Sequence, residues 1–414
     1  MNIEITPRKL SGTVRIPASK SMAHRMLICA ALAEGTSKIS GVDISRDVTA
    51  TMEVLTSFGA QFEIRENTIT VIGIGGKQPP RDAIADCCES GSTLRFLIPV
   101  AAALGIHTTF FGQGRLPERP ITAYLRELPP KGVQFSAEHL PLTMHGKLQP
   151  GTYQLEGDVS SQYVTGLLFA LPLLEGDSEI QMTSRLQSRP YVDLTIDSLR
   201  QFGVKIRETE NGFYISGNQT FHAHDVTVEG DYSQAAFFYV ANALGSDITI
   251  TNLNPDSVQG DKYIVTAVQE MQAKLLAEEP AGFTVDASDI PDLVPILAVL
   301  GTFGTAPSHI VGAERLTIKE SNRLTSTANM LNTLGGKVTE RKDGLDIEPV
   351  VTLHGGVVDS CGDHRIAMCA AIAATRCTGD VTIRHGECVE KSYPNFYKNY
   401  HQLGGIAHVI VLES

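Results

Sequence analysis

Leu293 to Gly304 read L-V-P-I-L-A-V-L-G-T-F-G, and Thr302 carries the one polar side chain among them. A helix built from this stretch is apolar on every side, so it has to be buried all round rather than laid on a surface by one stripe. That inverts the usual layering of an α/β protein, predicting helices inside and sheets outside.

Similar stretches recur along the chain at a period of about 70 residues, looser than the common solenoid periods. A hydroxyl or charged residue opens each copy, followed by an Ala/Leu-rich helix, a short β-branched strand, a second, amphipathic helix, and a Gly before another strand. The copies open at Ser21, Ser92, Ser161, Ser233, near Asp292 and at His364. Helical and strand periodicities alternate within each, which gives an α/β class. Six copies of helix–strand–helix–strand, three per half, place the break near V-E-G-D (Val228–Asp231). The expected domains are 15–229, and 1–14 plus 230–414. No Pro/Ser linker interrupts them, so a hinge is expected, with the ligand in a cleft between the domains.

A chain of 414 residues exceeds one ordinary core and fits two domains of about 200 each. Hydrophobic content of 42% and charged content of 19% are those of a soluble globular protein. Lys and Arg number 34 against 46 Asp and Glu, a net charge of −12, which argues against nucleic acid or an anionic membrane as partner. The beginning, M-N-I-E-I-T-P-R-K-L, holds no apolar signal core, and no apolar run approaches 18 residues. Seven cysteines without paired C-x-x-C motifs argue against a disulfide framework or zinc ribbon, and are expected as small buried apolar residues in a reducing cytoplasm. His222 and His224 form an H-x-H with no evident third ligand, so no metal is expected.

Within this acidic chain the charges gather in knots: Ser19–Arg25, Glu89–Arg95, Leu116–Pro120, Ser160–Gln162, Ser188–Tyr191, Lys319–Arg323, Asp363–Arg365 and Glu390–Pro394. A helix starting near Glu320 would put Glu320 and Arg323 on one face. The knots are expected at the starts of the buried helices, where free N–H groups and positive dipole ends favour phosphate and carboxylate. Arginine adds two-pronged bonds to the same groups. A small, multiply anionic ligand follows.

Taken in order, S-K-S-x-x-H-R, S-G-S-T-L-R-F, E-R-P-I, V-S-S-Q-Y-V-T-G-L-L, I-K-E-S-N-R-L, G-D-H-R-I-A-M and V-x-K-S-Y-P-x-F closely resemble the 5-enolpyruvylshikimate-3-phosphate synthases, from about Lys20 to Phe396. The resemblance implies two inside-out α/β domains of three units each. It implies transfer of the enolpyruvyl group of phosphoenolpyruvate to the 5-hydroxyl of shikimate 3-phosphate, releasing phosphate through a tetrahedral intermediate, with neither metal nor organic cofactor. The implied partners are these two small molecules, with no nucleic acid and no membrane, for a cytoplasmic monomer. By resemblance, Lys20, Ser21, Arg25, Ser160, Ser161, Gln162, Ser188, Tyr191, Asp292 and Lys319 hold shikimate 3-phosphate. Lys20, Gly91, Arg95, Arg119, Gln162, Arg323, Arg365 and Lys391 surround phosphoenolpyruvate. Asp292 accepts the 5-hydroxyl proton, Glu320 protonates the methylene carbon, and Lys20 or Lys319 assists. Burial and the neighbouring Lys319 and Arg323 pull the Glu320 pKa in opposite directions.

The chain departs from the family pattern at four positions: Glu89 where Asn is common, Thr317 for Arg, Asn322 for Asp and Gly362 for Asn. These bear on affinity at the anion site. His364 fits either a structural hydrogen-bonder or a group on the ligand side. A sister enzyme using UDP-N-acetylglucosamine carries a reactive Cys in the loop corresponding to Gln113–Pro120, and none stands there. A non-catalytic RNA-binding relative would need a basic stripe and stacking aromatics, against 6% aromatics and no Trp.

Overall fold

The computed structural model describes residues 1–410. The chain divides into two compact units, Ala18–Glu229, and Met1–Pro17 with the chain from Gly230 onward. Among the described residues twelve α-helices follow in order: α1 (Lys20–Leu32), α2 (Arg46–Ser57), α3 (Gly91–Leu104), α4 (Thr122–Glu127), α5 (Ser161–Ala170), α6 (Arg189–Gln201), α7 (Tyr232–Ala243), α8 (Tyr263–Leu276), α9 (Val294–Thr302), α10 (Arg323–Thr333), α11 (His364–Ala374) and α12 (Phe396–Gln402).

The odd-numbered helices are the apolar ones. Every residue of α9 and of α11 is buried, and α1 is buried without a break from Met22 to Leu32. The even-numbered helices keep polar faces; α6 buries Val192, Leu194, Thr195, Ser198 and Leu199 while other positions meet water. Short polar side chains start most of the buried helices by capping them: Ser19, Ser90 and Ser160 for α1, α3 and α5, then Asp231 and Asp363 for α7 and α11.

Around the buried helices lie five four-stranded sheets and one of two strands. The four-stranded sheets share one plan. In the second copy Asp82–Asp86 runs parallel to His107–Phe111, with α3 as the crossover, and Leu142–Gly146 and Val133–Phe135 follow antiparallel. A parallel pair needs such a crossover, and the helix that supplies it covers the inner face of the sheet. Each unit closes on itself. Val226–Thr227 pairs with Ile39–Ser40, while Asn2–Thr6 lies between Val381–Arg384 and Ile406–Ile410. Ser11–Arg15 pairs with Asp247–Thr251 to make the two-stranded sheet. Leu27, Leu97 and Phe169 meet Ile39, Phe110 and Ile180 in one core; Phe238, Leu297 and Ile372 meet Ile5, Ile310 and Ile383 in the other.

Four features differ from the sequence reading. The single strand expected after the second helix is a hairpin in the first, second, third and fifth copies, as at Gln61–Arg65 and Thr68–Ile72; the fourth copy has no hairpin, and in the sixth Ile406–Ile410 is one strand paired with Asn2–Thr6. Helix α10 begins at Arg323 rather than Glu320, because the Asn322 side chain takes the Thr325 N–H and fixes the start. Only four knots open buried helices; the residues of S-R-P-Y and K-E-S-N-R open α6 and α10, and E-R-P and E-K-S-Y-P precede α4 and α12. Cys361 is exposed and Cys88 half-buried, since both occupy tight turns in which the preceding Asp359 or Asp86 accepts the cysteine N–H. None of the helices is long and apolar enough to cross a membrane among the described residues.

Because α9 is packed on all sides, Leu297→Ala should remove about 2–5 kcal/mol of stability, read from urea unfolding. A loss below about 0.5 kcal/mol, the range of surface substitutions, would contradict that burial.

Candidate functional site

In the unit Ala18–Glu229 the starts of α1, α3, α5 and α6 and the turn before α4 converge. Arg25 on α1 is buried, and its guanidinium donates to Thr195 Oγ1 at 2.8 Å, Ser21 O at 2.7 Å and Tyr191 O at 2.7 Å. It also lies 5.3 Å from the centre of the Phe96 ring. Burial pushes its pKa down to about 10, against Tyr191 and Cys29, so it stays cationic at neutral pH. Ser188, in a left-handed conformation, sits just ahead of α6, one turn before Tyr191.

Arg95 on α3 is equally buried and donates to Gln162 Oε1 at 2.7 Å and Pro120 O at 2.9 Å. Gln162 in turn donates to Ser92 Oγ at 3.0 Å. The Arg119 guanidinium lies over Gly91: a Cβ there would come within 2.6 Å of Nη1. Glycine at 91 therefore keeps this arginine close to the start of α3. Ser160 caps α5 by accepting the Gln162 N–H, and Ser161 is buried beside it. Lys20 pairs with Asp47 at 2.9 Å. Among the described residues the hydrogen-bond acceptors of Arg25 and Arg95 are all neutral oxygens, with no carboxylate among them.

The other unit settles its charges differently. Arg323 is 1% exposed and meets three carboxylates at 2.8 Å each, Asp292, Glu320 and Asp363. Arg365 donates to Asp292 Oδ2 at 2.9 Å and to Ser233 Oγ at 3.0 Å. Burial would raise the Asp292 pKa, but Arg365, Lys319 and Arg323 outweigh it and the opposing Glu320, holding the carboxyl below its ordinary range. Asp363 is also held low: burial and Glu320 raise it, but Arg323, through its charge and its hydrogen bond, together with His364 outweighs them, and the cap hydrogen bond from Arg365 N at 2.9 Å adds to its anchorage. Lys391 donates to Gly362 O at 3.0 Å, in a turn where Gly362 has φ +66°, a conformation glycine adopts without strain.

Each unit thus gathers its own share of the residues singled out from sequence. Asp47 and Thr195 carry no sequence signal, because their partners lie far along the chain, and Ser233 is marked in the sequence only as the opening of the fourth copy. Ser92 and Asp363 stood inside quoted motifs, where the hydroxyl and the cap position could have marked them. Of the four departures, Asn322 caps α10, Thr317 turns back to Glu314 O at 2.9 Å, and the Glu89 carboxylate faces Gly114.

Buried helices sheathed by sheets, with buried arginines near helix starts, define an inside-out α/β protein. Residues 5–400 match the family profile described as EPSP synthase (3-phosphoshikimate 1-carboxyvinyltransferase), and the chain belongs to that family. It is 45% identical to the 3-phosphoshikimate 1-carboxyvinyltransferase of Clostridium kluyveri across 97% of both chains, and 43% identical to that of Clostridioides difficile across 98% of both. A solved EPSP synthase from Acinetobacter baumannii superposes with a TM-score of 0.80 at 24% identity, covering 99% of this chain and 100% of that one.

A polar thread ties this arrangement to pH. Buried His24 shares a hydrogen bond of 2.7 Å with Thr51, which meets Thr93 at 2.7 Å, and Thr93 meets the α3 cap Ser90 at 2.8 Å. Burial lowers the His24 pKa from 6.5 to about 3; Asp47 opposes, while Lys20 and Arg25 reinforce. Between those values the unfolded chain takes a proton that the native imidazole refuses, so stability falls as pH drops below about 6.5. The slope is about 1.4 kcal/mol per pH unit, or about 2 kcal/mol by pH 5. His24→Asn should lose this component, measured as urea stability against pH; parallel curves for variant and parent would contradict the neutral buried imidazole.

Proposed function

We propose that the chain transfers the enolpyruvyl group of phosphoenolpyruvate to the 5-hydroxyl of shikimate 3-phosphate and releases phosphate. The observation that carries this reading is the pair of buried guanidiniums, Arg25 and Arg95, held only by neutral oxygens at helix starts. Such a place is complete when phosphate or carboxylate enters. Ser21, Arg25, Ser160, Ser161, Gln162, Ser188 and Tyr191 take shikimate 3-phosphate. Lys20, Gly91, Arg95, Arg119 and Gln162 take phosphoenolpyruvate, with Arg323, Arg365 and Lys391 supplying further positive charge.

The reaction adds the 5-hydroxyl oxygen to the central carbon of the enol while Glu320 delivers a proton to the methylene carbon. Asp292, with Lys319 beside it, accepts the hydroxyl proton. The resulting tetrahedral intermediate expels phosphate as the methyl carbon returns a proton, which restores the double bond. Arg323 and Arg365 hold Asp292 as a weak base in the free enzyme. An anionic substrate that draws these guanidiniums to itself lifts that restraint, so binding raises the basicity of Asp292 as the proton must move. Proton transfers and charge stabilisation suffice for this addition and elimination, which needs no metal or organic cofactor, and the reading extends to a cytoplasmic monomer.

The direct test is phosphate release from phosphoenolpyruvate with shikimate 3-phosphate or UDP-N-acetylglucosamine as acceptor. Release with the first alone is expected; release with the second alone would overturn the reading. Glu320→Gln should cut turnover by about 10²–10⁴-fold, the worth of a positioned acid, with acceptor binding little changed. Turnover near the parent's would remove Glu320 from its role. Arg95→Ala should raise the KM for phosphoenolpyruvate about ten- to hundredfold, the cost of a lost charge-assisted hydrogen bond. An unchanged KM would take Arg95 out of that binding set.

A further inference from the structure

Pro99 stands inside α3, four residues after Arg95. In a regular helix the N–H of residue 99 would serve the carbonyl of residue 95, and proline has no N–H to give. The Arg95 carbonyl is nonetheless satisfied: Tyr124, fully buried on α4, donates its phenolic O–H to Arg95 O at 2.6 Å. Space for that hydroxyl exists because α5 carries Gly166 opposite it. A Cβ there would lie 2.2 Å from Tyr124 Oη, 2.3 Å from Arg95 O and 2.9 Å from Pro99 Cγ.

The other end of Arg95 is held by a second tyrosine. Tyr163 donates to Pro120 O at 2.5 Å, and this same carbonyl accepts from Arg95 Nη2 at 2.9 Å and Nε at 3.3 Å. The guanidinium carbon lies 5.5 Å from the centre of the Tyr163 ring, and the two tyrosine rings meet edge to face at 4.9 Å. Pro120 follows Arg119 directly, so both arginines near Gly91 depend on where this carbonyl sits.

We propose that Tyr124 is a positioning residue for Arg95. It supplies the hydrogen bond that Pro99 withholds, and so fixes the turn of α3 from which Arg95 projects. The inference rests on the reading of Arg95 as a phosphoenolpyruvate ligand. A residue acting only on stability would not single out one substrate, nor would its effect depend on which atom stands at position 99.

The test is a cycle of Tyr124→Phe and Pro99→Ala, with KM for each substrate and kcat measured on variants shown to be folded by circular dichroism. Tyr124→Phe alone should raise the KM for phosphoenolpyruvate about tenfold, as expected for an unsatisfied buried acceptor beside the ligand, and change that for shikimate 3-phosphate less than about twofold. In the Pro99→Ala background, where an N–H at 99 can serve Arg95 O, the same substitution should change the phosphoenolpyruvate KM less than about threefold. Equal penalties in both backgrounds, or parallel changes for both substrates, would overturn the proposal. If Tyr124→Phe alone does not fold, the double variant is compared with Pro99→Ala. A folded double variant with unchanged KM supports the proposal, and an unfolded or impaired one overturns it. Should Arg95→Ala leave the phosphoenolpyruvate KM unchanged, the reading of Arg95 itself fails; should it raise that KM while Tyr124→Phe does not, only the present inference fails.

Discussion

A helix that is apolar on every side must be covered on every side, and this requirement governs the rest of the molecule. Helices α9 and α11 have no residue that faces water. Their flanks are therefore spent on neighbouring helices and the inner faces of sheets, as the hydrophobic effect demands. What remains for polar chemistry is the ends. The first turn of a helix has N–H groups without partners in the helix, so the ends are also where positive potential is available at no cost in burial. The gathering of buried arginines at these starts follows from the same layering that makes the core.

Burying a guanidinium is tolerable only if its donors are met, and the two units meet them with different chemistry. Around Arg25 and Arg95 the acceptors are backbone carbonyls, one hydroxyl and one side-chain amide. The hydrogen bonds are satisfied and the charge is not. Around Arg323 and Arg365 stand Asp292, Glu320 and Asp363, so two guanidiniums face three carboxylates. The first arrangement leaves positive charge without a carboxylate partner; the second holds Asp292 and Asp363 below the ordinary carboxylate range. The choice of acceptor thus sets the charge balance of each unit.

Much of this was legible in the chain alone, and the reasons for the remainder are specific. The buried helices could be read because helical stretches with few polar residues and no polar face have one physical solution. The hairpins could not, since one arm can be short and almost wholly exposed, as Gln61–Arg65 is, which leaves only its partner Thr68–Ile72 with a core-facing alternation. The start of α10 turned on a cap hydrogen bond from the Thr325 N–H to Asn322, a local contest that periodicity does not register. Asp47 and Thr195 were invisible as partners of Lys20 and Arg25 because the contacts join residues 27 and 170 positions apart. Tyr124 reads as an ordinary core aromatic until its hydroxyl is seen against a carbonyl that a proline has left free.

The repeat shows where one unit's chemistry parts from the other's. Capping the buried helices of Ala18–Glu229 stand Ser19, Ser90 and Ser160; capping two of those in the other unit stand Asp231 and Asp363. Serine and aspartate are nearly equal as helix caps, so helix formation does not choose between them. They differ in charge. Serine leaves the nearby arginine without a counter-ion, as at Arg95, whereas the cap aspartate of α11 takes a guanidinium, as Asp363 takes Arg323. A position whose structural duty accepts either residue is therefore free to be set by what the site must do, and the two units set it in opposite senses.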